Sequence, residues 1–238
     1  MRTRTTAGLT LVELLVAMAI LVIVLGIVGV YFARQASLTR TTQAHTQVQD
    51  SARSVMQIVT NDLLSAGASQ FVSSASGVTT AAAVTGLLPL IGTDNGVADS
   101  FTVEYVSSLR TQATACRRVA YKVTNGTLER SDVGCSATSD SYAALADHVL
   151  AFNLSYVCSD SPTDIKAEPS GAAGCPSGTY VRSVRVGVAL RSDDPAPGAT
   201  STATYTSPTN ASDTASCTPG YACAILTQDV QTPNLKDN

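Results

Sequence analysis

There is no tryptophan in this sequence, and aromatic residues make up only 5% of it. Charge is scarce as well: Asp, Glu, Lys and Arg together reach 14%, and the formal net charge is −3. Such a chain lacks the basic field or stripe that nucleic-acid-binding proteins usually carry. Arg110, Arg117, Arg118 and Lys122 do form a local basic cluster, which reads as a solvated strand edge, with a weak DNA contact as the minor alternative. Only two histidines occur, His45 and His148. Nucleophile elbow, phosphate loop, zinc-protease helix and EF-hand are all missing, so enzymatic readings start poorly. Asp147 beside His148 makes a triad on paper only, because serine is abundant. Asp94, Asn95 and Asp99 are oxygen donors without the terminal Glu of a calcium loop, and they read as a turn entering a strand.

None of the six cysteines forms a C-x-x-C pair, which removes the common zinc and redox motifs. Cys116, Cys135, Cys158, Cys175, Cys217 and Cys223 all follow the one long apolar segment. An even number on one side of a membrane segment points to disulfides in an oxidising compartment. Pairing in sequence order, 116 with 135, 158 with 175 and 217 with 223, is the simplest of about fifteen possible connectivities.

What the chain has in plenty is apolar residues near its start. From Leu9 to Phe32 run 24 residues whose only ionisable side chains are Glu13 and Tyr31. About 20 apolar residues suffice to cross a bilayer, and the run exceeds the roughly 7–15 residues of a secretory core. It is therefore expected to remain as a membrane span. A carboxylate inside such a span costs on the order of 2.5–3.5 kcal/mol, less near an end, so Glu13 needs a partner. Cleavage after Gly8 would supply one. The new amine of Leu9 would stand four positions before Glu13, on the same helix face and largely protonated at neutral pH. The first helical turn also favours negative charge.

The basic leader Met1-Arg2-Thr3-Arg4-Thr5-Thr6-Ala7-Gly8, followed by Leu9-Thr10-Leu11-Val12-Glu13 and an unbroken apolar run, closely resembles the N-terminus of type IV prepilins and type II secretion pseudopilins. That resemblance implies cleavage after Gly8 by a membrane-bound prepilin peptidase and N-methylation of Leu9. It further implies that Glu13 pairs with the N-terminal amine of an adjacent subunit during filament assembly. Leu9 replaces the commoner Phe, and Val30 stands where major pilins often carry a kinking Pro; the latter suits a minor subunit.

Beyond Phe32, Ala44, Val48, Ala52, Val55, Val59, Leu63 and Ala66 recur at intervals of three and four, one stripe of an amphipathic helix. The spacing predicts one helix from Leu9 to Ala66, about 87 Å long, stopped at Gly67. Residues 69–86 read as a loop and 92–96 as a turn. Strands are expected at 100–106, 118–123, 127–130 after an Asn125-Gly126 turn, 149–157, 181–190 and 222–230. Val184, Val186, Val188 and Leu190 alternate with Arg185, Gly187, Ala189 and Arg191, which predicts a half-buried strand. Residues 192–220, rich in Pro, Ser, Thr and Ala, read as an exposed loop.

The expected organisation is a leader at 1–8, a spanning half-helix at 9–32, an amphipathic half at 33–67 and a disulfide-containing β-rich head at 68–238. The fold class is α+β, a long N-terminal helix packed on a mostly antiparallel sheet. The head's strand order also resembles the PilW class of minor pilins and the J-type minor pseudopilin. Together these imply a structural minor pilin: not an enzyme, with no cofactor and no metal, whose partners are other pilins, the prepilin peptidase and the inner membrane. The head would face the periplasm and then the cell surface. A secretion pseudopilin, a tip adhesin and a DNA-binding module are the alternatives.

Overall fold

The computed structural model describes residues 11–75, 78–83, 87–107, 116–159, 165–167, 170–171, 175, 179–199 and 202–237. Helix α1 runs unbroken from Leu11–Ser65, 55 residues and about 82 Å. It contains no proline, and Thr39, Thr42, Thr46 and Ser65 return their hydroxyls to the carbonyl four residues back, so its polar half does not compete with the helix. Gly67 ends it, adopting φ +77°, while Ala66 N–H bonds Leu63 O and Ala68 N–H bonds Ser65 O.

The two halves of α1 differ in what surrounds them. From Leu11 to Phe32 every residue is exposed, although this stretch is the most apolar of the chain. The predicted stripe is the buried face: Ala44, Val48, Ala52, Val55, Val59, Leu63 and Ala66 all lie in the core, with Met56 beside them.

Fourteen strands follow among the described residues. They are β1 (Gln70–Ala75), β2 (Val78–Ala83), β3 (Ile91–Thr93), β4 (Ser100–Val106), β5 (Cys116–Thr124), β6 (Thr127–Gly134) and β7 (Tyr142–Ala146), then β8 (Val149–Cys158), β9 (Ile165–Ala167), β10 (Ser170–Gly171), β11 (Val181–Pro195), β12 (Thr204–Thr206), β13 (Thr214–Ser216) and β14 (Tyr221–Gln231). A short 3₁₀ turn, Pro233–Asp237, closes the chain. One sheet has the order β10-β3-β4-β5-β6-β7 and the other β14-β11-β8-β9, with every strand pair antiparallel. Asn125 (φ +53°) and Gly126 (φ +78°) make the tight β5–β6 turn, the left-handed pair that matches strand twist.

Helix α1 lies chiefly on β14 and β11. Its stripe shares one core with Phe101, Val103 and Tyr121 of the first sheet and Phe152, Leu154, Val184, Val186 and Val188 of the second. The Phe101 and Tyr121 rings stack at 4.7 Å between centroids. This is the α+β architecture expected from the sequence.

Three local expectations are corrected. Within 69–86, expected as a loop, β1 and β2 pair as a hairpin in which Val72 opposes Ala81. The expected turn at 92–96 begins later, because Gly92 and Thr93 pair with β4 and only then does Asp94 Oδ1 accept the Gly96 N–H. The segment 192–220 is not simply an exposed loop. Its β12–β13 hairpin lays Tyr205 on the outer face of β11 and buries it against Ala151 and Ala189. For that reason β11 is buried on both faces at its centre rather than on one.

Candidate assembly site

The first turn of α1 carries Glu13, at the tip of an apolar stem whose side chains face outward throughout. Leu11 to Phe32 is 22 residues, about 33 Å of helix, matching the roughly 30 Å of a bilayer core. Its most apolar 18-residue window has a mean hydropathy of 3.1. In a first turn the free N–H groups and the helix dipole favour the carboxylate. Gly8 and Leu9 lie outside the described residues, so the expected cleavage point and amine are named here only by sequence. An exposed stem of this kind can be satisfied by lipid or by the same stem of a neighbour.

At its other end α1 is clamped to the head by charge as well as by packing. Arg130 of β6 donates Nε to Asp62 Oδ2 at 2.9 Å and Nη2 to Oδ1 at 3.2 Å. The Tyr121 hydroxyl donates to the same Oδ2, and Arg130 Nε also reaches the Tyr121 oxygen at 3.1 Å. Burial and the Asp62 charge raise the Tyr121 phenol well above its ordinary range. Burial opposes the charge on Arg130, but the hydrogen bond and charge of Asp62 outweigh it and raise its pKa. Charge and packing thus both hold the stem on the head.

Disulfides brace the rest. Cys116 bonds Cys135 at the open end of the β5–β6 hairpin, Cys158 bonds Cys175 beyond β8, and Cys217 bonds Cys223, tying the 196–220 segment to β14. Under that segment Asn153 is buried; its Oδ1 accepts from the Tyr205 hydroxyl at 3.0 Å and its Nδ2 donates to Gly96 O at 3.1 Å. Gly187 leaves room for the Tyr205 ring, which would overlap any Cβ there.

The other sequence candidates resolve into local structure. Arg117 Nε donates to Asp132 at 2.7 Å, Arg118 pairs with Asp140 at 3.1 Å and Lys122 with Glu129 at 3.4 Å, so these three basic residues are matched by neighbouring carboxylates. Arg110 lies outside the described residues. His45 is half-buried on α1. His148, at φ +55°, turns the chain between β7 and β8 and pairs with Asp193 at 3.0 Å. Asp99 accepts the N–H groups of Asn95 and Leu154 at 2.9 and 2.8 Å, joining its own turn to β8. Neither Asp62 nor Asp99 stands out in sequence as a structural anchor; a carboxylate inside an apolar stripe is the only signal Asp62 gives.

Comparison with known proteins agrees with this geometry. Residues 3–29 match the family described as the prokaryotic N-terminal methylation motif. The chain is similar to the pilin-like protein PilA3 of Thermus thermophilus, 42% identical over 241 residues, covering 96% of this chain and 97% of the relative. Its fold is similar to that of a type IV-like pilin from Thermus thermophilus, with a TM-score of 0.54 at 16% identity over 79% of this chain and 97% of that structure.

Proposed function

Since the chain belongs to the type IV pilin-like family, we propose that it is a minor structural subunit of a type IV pilus, processed by prepilin peptidase before it joins the filament. Cleavage falls after Gly8, and the freed Leu9 amine is methylated. The observation that carries this reading is Glu13 in the first turn of an outward-facing apolar stem. A carboxylate there is costly in lipid unless a cation meets it. The processed amine of a neighbouring stem is that cation, and their attraction sets the axial register between subunits. Burial adds little to the packing of the stems, since lipid is as apolar as leucine, so the charge pair is their specific contact.

The precursor rests in the inner membrane through α1, with the head in the periplasm, and the assembled subunit reaches the cell surface. Three disulfides support an oxidising location for the head. The role is structural, without turnover. Mass spectrometry of the N-terminus from membranes and filaments tests the processing. Mature protein should begin at methylated Leu9, and Gly8→Val should leave full-length precursor in the membrane. A wild-type protein that still begins at Met1 in a cell with active peptidase would overturn the reading.

A further inference from the structure

Two charges bracket the apolar stem. Glu13 stands before it and Arg34 after it, and the 20 residues between them, Leu14 to Ala33, carry no charge. Helix α1 is unbroken from one to the other, so the two positions lie about 32 Å apart along its axis, close to the roughly 30 Å of a bilayer core.

Arg34 differs in its setting from the other arginines. Arg53 pairs with Asp50 on the same helix, and Arg117, Arg118, Arg130 and Arg185 each meet a carboxylate. The acidic residues nearest to Arg34 along α1 are Glu13 and Asp50, and its helical neighbours three and four positions away are Val30, Tyr31, Ser37 and Leu38. Arg34 is exposed, and the head meets the helix further on, where Thr41 Oγ1 donates to Pro197 O and Ala44 enters the core.

Tyr31, Arg34, Gln35 and Leu38 fall on one face of the helix, and all four are exposed. Gln35 Nε2 donates to the Tyr31 hydroxyl at 3.1 Å, while the Phe32 ring sits edge-on to the Tyr31 ring at 6.2 Å between centroids. Aromatic rings with a polar tip, beside a cation on an apolar shaft, suit the boundary between hydrocarbon and headgroups. Side chains on a helix lean toward its N-terminus, which carries the Arg34 guanidinium back toward that boundary.

We propose that this face of α1 is a lipid-headgroup contact, in which Arg34 donates to a phosphodiester of the leaflet nearest the head and fixes the depth of the stem. Charge and length together select the occupant. One bilayer core away from Glu13 along a lipid-facing stem lies the phosphate layer, and a guanidinium matches phosphate oxygens through paired hydrogen bonds. The contact rests on the membrane reading above and sets the level at which the subunit waits before assembly. Thr41, where the rim of the head begins, then stands about 13 Å beyond Phe32, clear of a headgroup layer some 5–7 Å deep.

The chain has no tryptophan, so a single one introduced reports on its own site. The full-length chain carrying Leu38→Trp is placed in phosphatidylcholine vesicles, and its fluorescence is quenched either by acrylamide in the water or by lipid brominated in mid-chain. Adding Arg34→Leu extends the apolar run through Leu38 and lets the stem slide inward. Bromolipid quenching should then rise about twofold or more and acrylamide quenching should fall, whereas Arg34→Lys keeps the parent values. Equal quenching in the parent and Arg34→Leu overturns the proposal. Carbon–phosphorus dipolar dephasing of labelled guanidinium groups in the same vesicles tests the phosphate itself: wild type should exceed Arg34→Lys, and identical dephasing overturns the assignment. Ile23→Trp checks the membrane reading separately. If that position is quenched by acrylamide and not by bromolipid, both claims fail; if it is quenched by bromolipid while Arg34→Leu changes nothing at position 38, only the headgroup contact fails.

Discussion

Arg130 holds Asp62 through two parallel hydrogen bonds of 2.9 and 3.2 Å, joining the last turn of the long helix to a strand 68 residues away in sequence. Asp62 is 9% exposed at its side chain and Arg130 25%. Loss of one partner strands the other in a site that water reaches poorly. Asp62→Ala should therefore destabilise the head by about 2–3 kcal/mol, less than the ~3–5 kcal/mol of a fully buried pair because Arg130 keeps partial hydration. The triple change Asp62→Leu, Tyr121→Phe and Arg130→Met, which leaves none of the three polar groups stranded, should recover most of that loss. Chemical unfolding of the full chain in micelles measures both, and additive losses would refute the coupling.

The face opposite the helix depends on steric fit. Gly187 sits under the Tyr205 ring, and no Cβ can be placed there without moving it. Gly187→Ala should cost about 1–3 kcal/mol by overpacking and lift the 196–220 segment from β11. Limited proteolysis should then cut within that segment, in a region still tethered at Cys217–Cys223. Tyr205→Ala in the same chain should relieve the overpacking penalty without restoring protection. Equal protease resistance of Gly187→Ala and wild type would contradict this account.

Periodicity makes the buried face of the helix legible. Each of the seven stripe positions from Ala44 to Ala66 is buried, because a 3.6-residue repeat leaves little freedom about which face meets a sheet. Strand β4 spans Ser100–Val106, as its alternation predicts, and the Asn125-Gly126 pair marks its own turn. What escaped were contacts between distant segments. Asp62 signals itself only as a carboxylate inside an apolar stripe, and nothing in the sequence names Arg130 as its partner. The 192–220 segment reads as loop because its composition is Ser, Thr, Ala and Pro. Yet its one large ring, Tyr205, matches the one missing side chain of the β11 alternation, Gly187, across 18 residues. The β1–β2 hairpin escaped because Ser, Thr and Ala give almost no contrast between two strand faces. At the candidate site Glu13 is legible at once, since a carboxylate contrasts with every neighbour in an apolar run.

Asp99 should give the head an inverted acid response. Its carboxyl is fully buried, and burial pushes its pKa up from 3.8 to about 6, against the opposing pull of the Asn95 and Leu154 N–H groups; Asp94 and Asp213 add to the rise. A folded value above the unfolded one means that the native state binds the extra proton between about pH 4 and pH 6. Stability from this group is complete below the unfolded pKa and is lost as pH rises through about 6. Two pKa units correspond to about 3 kcal/mol. Other carboxylates work in the opposite sense: Asp229, held low first by its hydrogen bond from Arg185, contributes stability that is lost in acid. The Asp99 contribution must therefore be isolated by difference. Asp99→Asn removes the titration while keeping one acceptor for the two backbone donors. Melting midpoints of wild type and Asp99→Asn across pH 3.5–7 should show the wild type losing ground to the variant as pH rises, with most of the change between pH 4 and pH 6.5. A constant offset over that range would show that Asp99 titrates no differently in the folded and unfolded chains.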